Sequence, residues 1–82
     1  MTSAAQKLIM ITGVSTGFGK AFSAAAIAAG HRVVGTVRSE AAGSVFEASG
    51  EGRAFARMLD ITDYDAIGPT VAEIEAEIGP ID

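Results

Sequence analysis

Apolar residues along this chain gather in short unbroken runs, and glycines or helical stripes separate them. Residues 7–12, Lys-Leu-Ile-Met-Ile-Thr, are apolar between polar ends, the pattern of a strand buried on both faces of a parallel sheet. Glycines 13, 17 and 19 then punctuate a turn. From Gly19 to Ala29 the chain is rich in alanine, which predicts a helix that stops at Gly30. Small residues let that helix lie close to the sheet, and Phe18 and Phe22 read as its apolar, sheet-packing side. Arg-Val-Val-Gly-Thr-Val, 32–37, is a second β-branched run. Ser39 can cap a second helix through about Ser49, although Gly43 weakens its middle.

Gly50 and Gly52 flank the next turn, and Ala54 to Leu59 predicts a third strand. The last helix has the clearest period: Ile67, Val71, Ile74 and Ile78 share one stripe, while Glu73, Glu75 and Glu77 mostly face away. Gly68 and Pro69 interrupt its early part, so it either kinks there or starts near Pro69. The order β-α-β-α-β-α calls for a parallel sheet with right-handed crossovers. Gly79 and Pro80 close the helix, and Ile81 reads as the opening of a fourth strand. The expectation for residues 1–82 is the first half of a larger, doubly wound α/β domain, stopping before that strand. The first strand would then be an apolar edge that invites aggregation, strand exchange or a partner, a second copy included.

Composition narrows the classes. Apolar residues make up 49% of the 82 and charged residues only 20%, a balance suited to a buried core rather than to disorder. The net charge is −4, and the six basic residues are scattered without a stripe or interleaved aromatics, so a nucleic-acid surface has no support. The absence of cysteine removes disulfides, thiolate metal sites and a cysteine nucleophile, and a lone histidine argues against zinc. The longest apolar stretches are far short of the roughly 20 residues that cross a bilayer. A cytoplasmic protein without a membrane partner is the resulting expectation.

The segment Thr12 to Lys20, Thr-Gly-Val-Ser-Thr-Gly-Phe-Gly-Lys, has the look of a phosphate cradle. A nucleoside-triphosphate loop needs G-x-x-x-x-G-K followed by Ser or Thr, so that Lys reaches the terminal phosphates and the hydroxyl binds magnesium. Counting from Gly13, the second glycine would fall on Phe18, and Lys20 is followed by Ala21. The alternative, G-x-x-x-G-x-G between strand and helix, is met by Gly13, Gly17 and Gly19. Gly13 permits a tight exit from the strand, Gly17 clears the approach of a pyrophosphate, and Gly19 brings helix and sheet together. The helix N-terminus adds unpaired N–H groups and a partial positive charge. Dinucleotide binding follows.

The chain here resembles the short-chain dehydrogenase/reductase family, whose N-terminal half carries T-G-x-x-x-G-x-G, met by Thr12 to Gly19. The likeness extends to Gly-His-Arg-Val-Val-Gly-Thr-Val-Arg-Ser, similar to that family's second strand and cofactor-selecting turn, and to Leu-Asp-Ile-Thr-Asp after the third strand. It covers nearly the whole chain and implies a Rossmann-type NAD(P)-binding fold. By position, it implies that Ser15, Thr16, Gly17 and Phe18 line the pyrophosphate and adenosine side, that Asp60 meets the adenine amino group, and that the Ile61 backbone lies beside it. NAD users of the family generally place a carboxylate at the position held here by Val37, and Arg38 follows. A guanidinium can grip a 2′-phosphate bidentately, and Ser39 can add a hydrogen bond, so NADP(H) is expected over NAD(H). Thr16 stands where some NADP-preferring relatives have a second basic residue, and Glu40 lies close enough to weaken the site.

The resemblance further implies an oxidoreductase acting on an alcohol or carbonyl, with Tyr of a Tyr-x-x-x-Lys pair as acid/base. That pair is not in this sequence: four residues after Tyr64 stands Gly68. The chain is therefore expected to hold the cofactor and not to transfer hydride by itself. A non-catalytic dinucleotide-binding or sensing module remains open, as does a truncation or proteolysis product. For single residues, His31 reads as surface or capping, the Glu73, Glu75 and Glu77 series as a solvated face, and Lys20 as charge balance. Asp60 can alternatively cap the last helix with Thr62 and Asp63.

Overall fold

The computed structural model describes residues 6–14 and 17–82. Strand β1 (Leu8–Ile11) leads through the glycine loop into α1 (Gly17–Ala28), followed by β2 (Arg32–Val37), α2 (Glu40–Ser49), β3 (Ala54–Met58) and α3 (Tyr64–Glu77). The strands pair in the order β1-β2-β3, both ladders parallel, with Leu8 opposite Arg32 and Val33 opposite Ala54. Sequence reading and structure agree on this α/β architecture.

Alternation along the strands builds a core on each face of the sheet. Val33 and Val37 join Val14, Ile27, Phe46 and Ala54 on the face covered by α1 and α2. Leu8 and Val34 meet Ile74 of α3 on the other, with Met10, Phe55, Ile78 and Ile81 around them. Gly43, the doubtful residue of α2, is buried where that helix crosses the sheet: a Cβ there would lie 3.2 Å from the Ala56 Cβ and 3.3 Å from Val37 Cγ2.

Boundaries depart from expectation in instructive ways. Gly30 ends α1 with φ +93, and Ser39 caps α2 by accepting from the Ala42 N–H at 3.1 Å, both as the sequence implies. Of the two readings for α3, the start near Pro69 is corrected: the helix starts at Tyr64, with Asp63 at its N-cap position and Pro69 inside. Pro69 is the sixth residue of the helix, past the four N–H groups left unpaired at a helix start, so it forfeits one backbone bond, the one to the Asp65 carbonyl. The aromatic expectation for α1 is corrected: Phe18 is 82% and Phe22 62% exposed, stacked on each other with centroids 6.1 Å apart. Ser23 and Ile27 are the buried positions of α1, so its sheet-facing side is made mostly of small residues.

At the open side of β1, the Asp82 N–H donates to the Leu8 carbonyl at 2.9 Å, and the Leu8 N–H donates to Asp82 Oδ2 at 2.8 Å. Residues 81 and 82 thus reach the edge of β1 without forming a strand. His31, read as surface or capping, has its Nδ1 accepting from the Lys7 N–H ahead of β1 at 3.0 Å. The acidic face of α3 is partly used: Arg57 bridges Glu73 at 3.4 Å and Glu77 at 3.2 Å.

Candidate functional site

All three strands run parallel, so their C-terminal ends open on one side of the sheet, where α/β folds hold their ligands. The glycine loop leaves β1 on that side. Gly13 has φ +69 and Gly17 φ +59, left-handed values that favour glycine, and a Cβ at either would meet nothing within 4 Å. Backbone geometry, not crowding, therefore demands those two glycines, and the space above them is open to a ligand.

Gly19 is required for the opposite reason. Its φ is ordinary, but a Cβ there would run into the Gly13 carbonyl oxygen and stand 2.8 Å from the Gly13 carbonyl carbon and 3.2 Å from the Thr12 oxygen. The first turn of α1 sits directly on the loop backbone. Its leading N–H groups, which have no partner within the helix, thus start immediately beside the strand exit. Ser15 and Thr16 lie outside the described residues. Phe18, exposed and pointing away from the core, leaves its backbone at the start of α1 beside the loop.

The second part of the site lies past the ends of β2 and β3. Val37, Arg38, Met58, Leu59, Asp60 and Asp63 line a recess of about 470 Å³, closed on the α3 side by Ala66 and Thr70. It brings together Arg38 and Asp60, 22 residues apart in the chain. Ile61, 47% exposed, is not part of its lining. Ser39 spends an oxygen lone pair on the α2 cap, which leaves its O–H proton free to donate.

Asp60 braces its own turn instead of capping α3. Its Oδ1 accepts from the Thr62 hydroxyl at 2.6 Å and the Thr62 N–H at 2.9 Å, and its carbonyl from the Asp63 N–H at 2.9 Å. The Thr62 hydroxyl, then the Thr62 N–H, hold the Asp60 carboxyl below its ordinary range; slight desolvation opposes them and the Arg38 charge assists. Oδ2 of Asp60 takes no part in this brace.

Glycine spacing could not reveal what holds the loop down. The Gly13 N–H donates to Thr36 Oγ1 at 2.9 Å, and the Val14 N–H to the Thr36 carbonyl at 3.2 Å. Val14 is itself 2% exposed, its side chain seated over Gly35 of β2. A strand-to-helix turn with left-handed glycines, a helix start pressed on its backbone, and a recess joining Arg38 to Asp60 make this the candidate site for a dinucleotide.

Comparison with known proteins agrees with that class. The chain belongs to the short chain dehydrogenase family, whose model matches residues 7–82. It is 35% identical over 80 residues to the 3-oxoacyl-(acyl-carrier-protein) reductase FabG of Escherichia coli strain K12, a match covering 93% of this chain and 31% of that protein. It is 36% identical over 70 residues to the NADPH-dependent 3-dehydrocapnine reductase of Ornithobacterium rhinotracheale, covering 85% of this chain and 25% of that one. Among solved structures it superposes on a short-chain dehydrogenase from Streptomyces avermitilis with a TM-score of 0.87 and 40% identity, over 95% of this chain and 29% of the other. The chain spans about a third of the length of the FabG relative. Among the described residues, no helix is long and apolar enough to cross a membrane.

Proposed function

We propose that this chain is the NADP(H)-binding portion of a short-chain oxidoreductase that moves hydride between NADP(H) and an alcohol or carbonyl substrate. The observation that carries the cofactor choice is Arg38 in the lining of the recess it shares with Asp60, with apolar Val37 where a ribose-holding carboxylate would otherwise stand. In this reading Gly13, Gly17 and Gly19 shape the loop, and Ser15, Thr16 and Phe18 offer backbone to the pyrophosphate. Arg38 and the Ser39 hydroxyl hold the 2′-phosphate. Asp60 Oδ2 accepts from the adenine amino group, and the Ile61 backbone flanks the base. The reductase from Ornithobacterium, described as NADPH-dependent, supports the same cofactor.

When bound, the nicotinamide supplies the hydride or accepts it. The residues of this chain bind and orient the far end of the cofactor, and none of those assigned above moves a proton at a reacting carbon. The chain by itself is accordingly assigned cofactor binding without turnover, in a cytoplasmic setting.

Calorimetric titration of the folded protein with NADP⁺ and NAD⁺ at low salt tests the proposal. NADP⁺ should bind about 10- to 150-fold tighter, the worth of a charge-assisted hydrogen bond of roughly 1.5 to 3 kcal/mol, and Arg38→Ala should abolish that preference. Equal affinities, or a preference that survives Arg38→Ala, would overturn the cofactor assignment. Folded protein that binds neither would overturn the site.

A further inference from the structure

We propose that Thr36 is a positioning residue for the glycine loop: its hydroxyl fixes the Gly13 peptide in the orientation that receives a dinucleotide. The inference rests on the cofactor reading above and adds to it a residue of β2 remote from the loop in sequence.

Thr36 is 2% exposed, and accepts from two successive loop amides, Gly13 N–H to Oγ1 at 2.9 Å and Val14 N–H to its carbonyl at 3.2 Å. The second bond is main chain to main chain and any residue at 36 could make it. The first needs a hydroxyl. It falls on a glycine at φ +69, the residue type with the most freedom to leave that conformation. Val14 adds an apolar anchor, since its side chain fills the place a Cβ on Gly35 would take, 2.6 Å from Val14 Cγ1 and 2.9 Å from Phe46 Cε2. The loop is thus seated on Gly35 and Thr36 together.

Consequences run from Thr36 to the helix. The peptide whose N–H Thr36 Oγ1 holds carries the Thr12 carbonyl, whose oxygen would lie 3.2 Å from a Cβ on Gly19, and the next peptide, held by the Thr36 carbonyl, carries the Gly13 carbonyl directly under Gly19 in the first turn of α1. Rotation of the Thr12–Gly13 peptide would move the Thr12 carbonyl, and with it part of the platform on which the anion-facing end of α1 rests. With their N–H groups engaged by Thr36, Gly13 and Val14 do not present them to a ligand, so the amides left for a pyrophosphate come later in the loop and in α1. Without the hydroxyl, the loop spends less of its time in the receptive arrangement, and apparent affinity falls by that fraction.

The test compares wild type, Thr36→Val and Thr36→Ser by NADP⁺ titration and by amide-proton exchange at Gly13 in the free protein. Valine keeps the β-branched shape, so strand and core should persist and the far-ultraviolet spectrum should match wild type. Thr36→Val is expected to bind NADP⁺ about tenfold more weakly, as for a receptive population reduced to about a tenth, and to expose the Gly13 amide. Thr36→Ser should restore protection and bring affinity within about threefold of wild type.

A folded Thr36→Val protein that binds like wild type overturns the proposal. So does a Gly13 amide that exchanges as fast in wild type as in Thr36→Val, a comparison within wild type and Thr36→Ser sufficing if the valine variant does not fold. Absence of NADP⁺ binding by folded wild type overturns instead the cofactor reading, and the exchange comparison still decides whether Thr36 holds Gly13.

Discussion

Gly19→Ala is a change of one methyl group at a position where the structure leaves none to spare. The added Cβ would collide with the Gly13 carbonyl oxygen and stand 2.8 Å from the carbon that bears it. Neither atom can give way cheaply, because both belong to a peptide whose N–H, that of Val14, donates to the Thr36 carbonyl at 3.2 Å. Relief requires α1 to lift off the loop, at the expense of the contacts of Ser23 and Ile27 on the buried side of that helix. Overpacking of this kind costs about 1–3 kcal/mol, and the obstacle being backbone puts it toward the upper end. The gain in helix propensity of alanine over glycine, about 1 kcal/mol, opposes it without matching it. A net loss of about 2 kcal/mol would lower the melting temperature of so small a domain by roughly 8–16 °C. Gly17→Ala is the control: it meets nothing within 4 Å and suffers only the left-handed φ of +59, a cost of about 1–2 kcal/mol. Thermal melts followed by circular dichroism, with NADP⁺ titration of the folded variants, should show Gly19→Ala as destabilised at least as much as Gly17→Ala, and weaker in binding. A Gly19→Ala protein that melts with wild type would refute the close contact between helix and loop.

Two further outcomes follow from contacts elsewhere. Gly35→Ala should destabilise by about 1–3 kcal/mol because its Cβ meets Val14 and Phe46, and the double change with Val14→Ala should recover part of the loss; strictly additive urea midpoints would contradict the packing of Val14 on β2. Asp60 should titrate below its ordinary value of 3.8, and Thr62→Val should raise its midpoint. Since its folded pKa is depressed, Asp60 contributes stability above the ordinary carboxylate range, and that stability is lost as pH falls through the folded pKa. A carboxyl-carbon NMR titration placing wild-type Asp60 at or above 3.8 would contradict the Thr62 brace.

What the linear sequence disclosed was whatever neighbours in the chain decide. Strand β2 has the bounds expected of its β-branched run, and Ser39 caps the helix it precedes, because those effects act within a few residues. Gly13, Gly17 and Gly19 were legible as a group, but the spacing does not separate the conformational need at the first two from the crowding at the third. Phe18 and Phe22 misled because hydrophobicity was read as orientation, whereas close contact between α1 and the loop selects small residues for the inner side. Thr36 went unnoticed for a different reason. A β-branched residue in a strand already has a full local explanation, and its hydrogen bond reaches 23 positions back along the chain.

Cofactor selection and core packing meet at one residue. Val37 is 3% exposed and belongs to the apolar cluster with Ile27, Val33 and Phe46, yet it also lines the recess that contains Arg38 and Asp60. Gly43 presses on it from α2 so closely that a Cβ there would come within 3.3 Å of Val37 Cγ2. A carboxylate in place of that side chain would have to surrender much of its hydration while displacing an apolar contact, and an unpaired buried charge is far more costly than a buried methyl. The same packing that lets α2 lie close to the sheet therefore works against the acidic residue of an NAD-type ribose clasp. Positive charge at the recess is left to Arg38, one position further on, exposed, and free of a backbone or core role among the described residues. On this argument the proposed preference for the phosphorylated cofactor would be a consequence of how α2 packs as well as of the arginine, so Arg38→Ala should remove the discrimination without creating an affinity for NAD⁺ that wild type lacks.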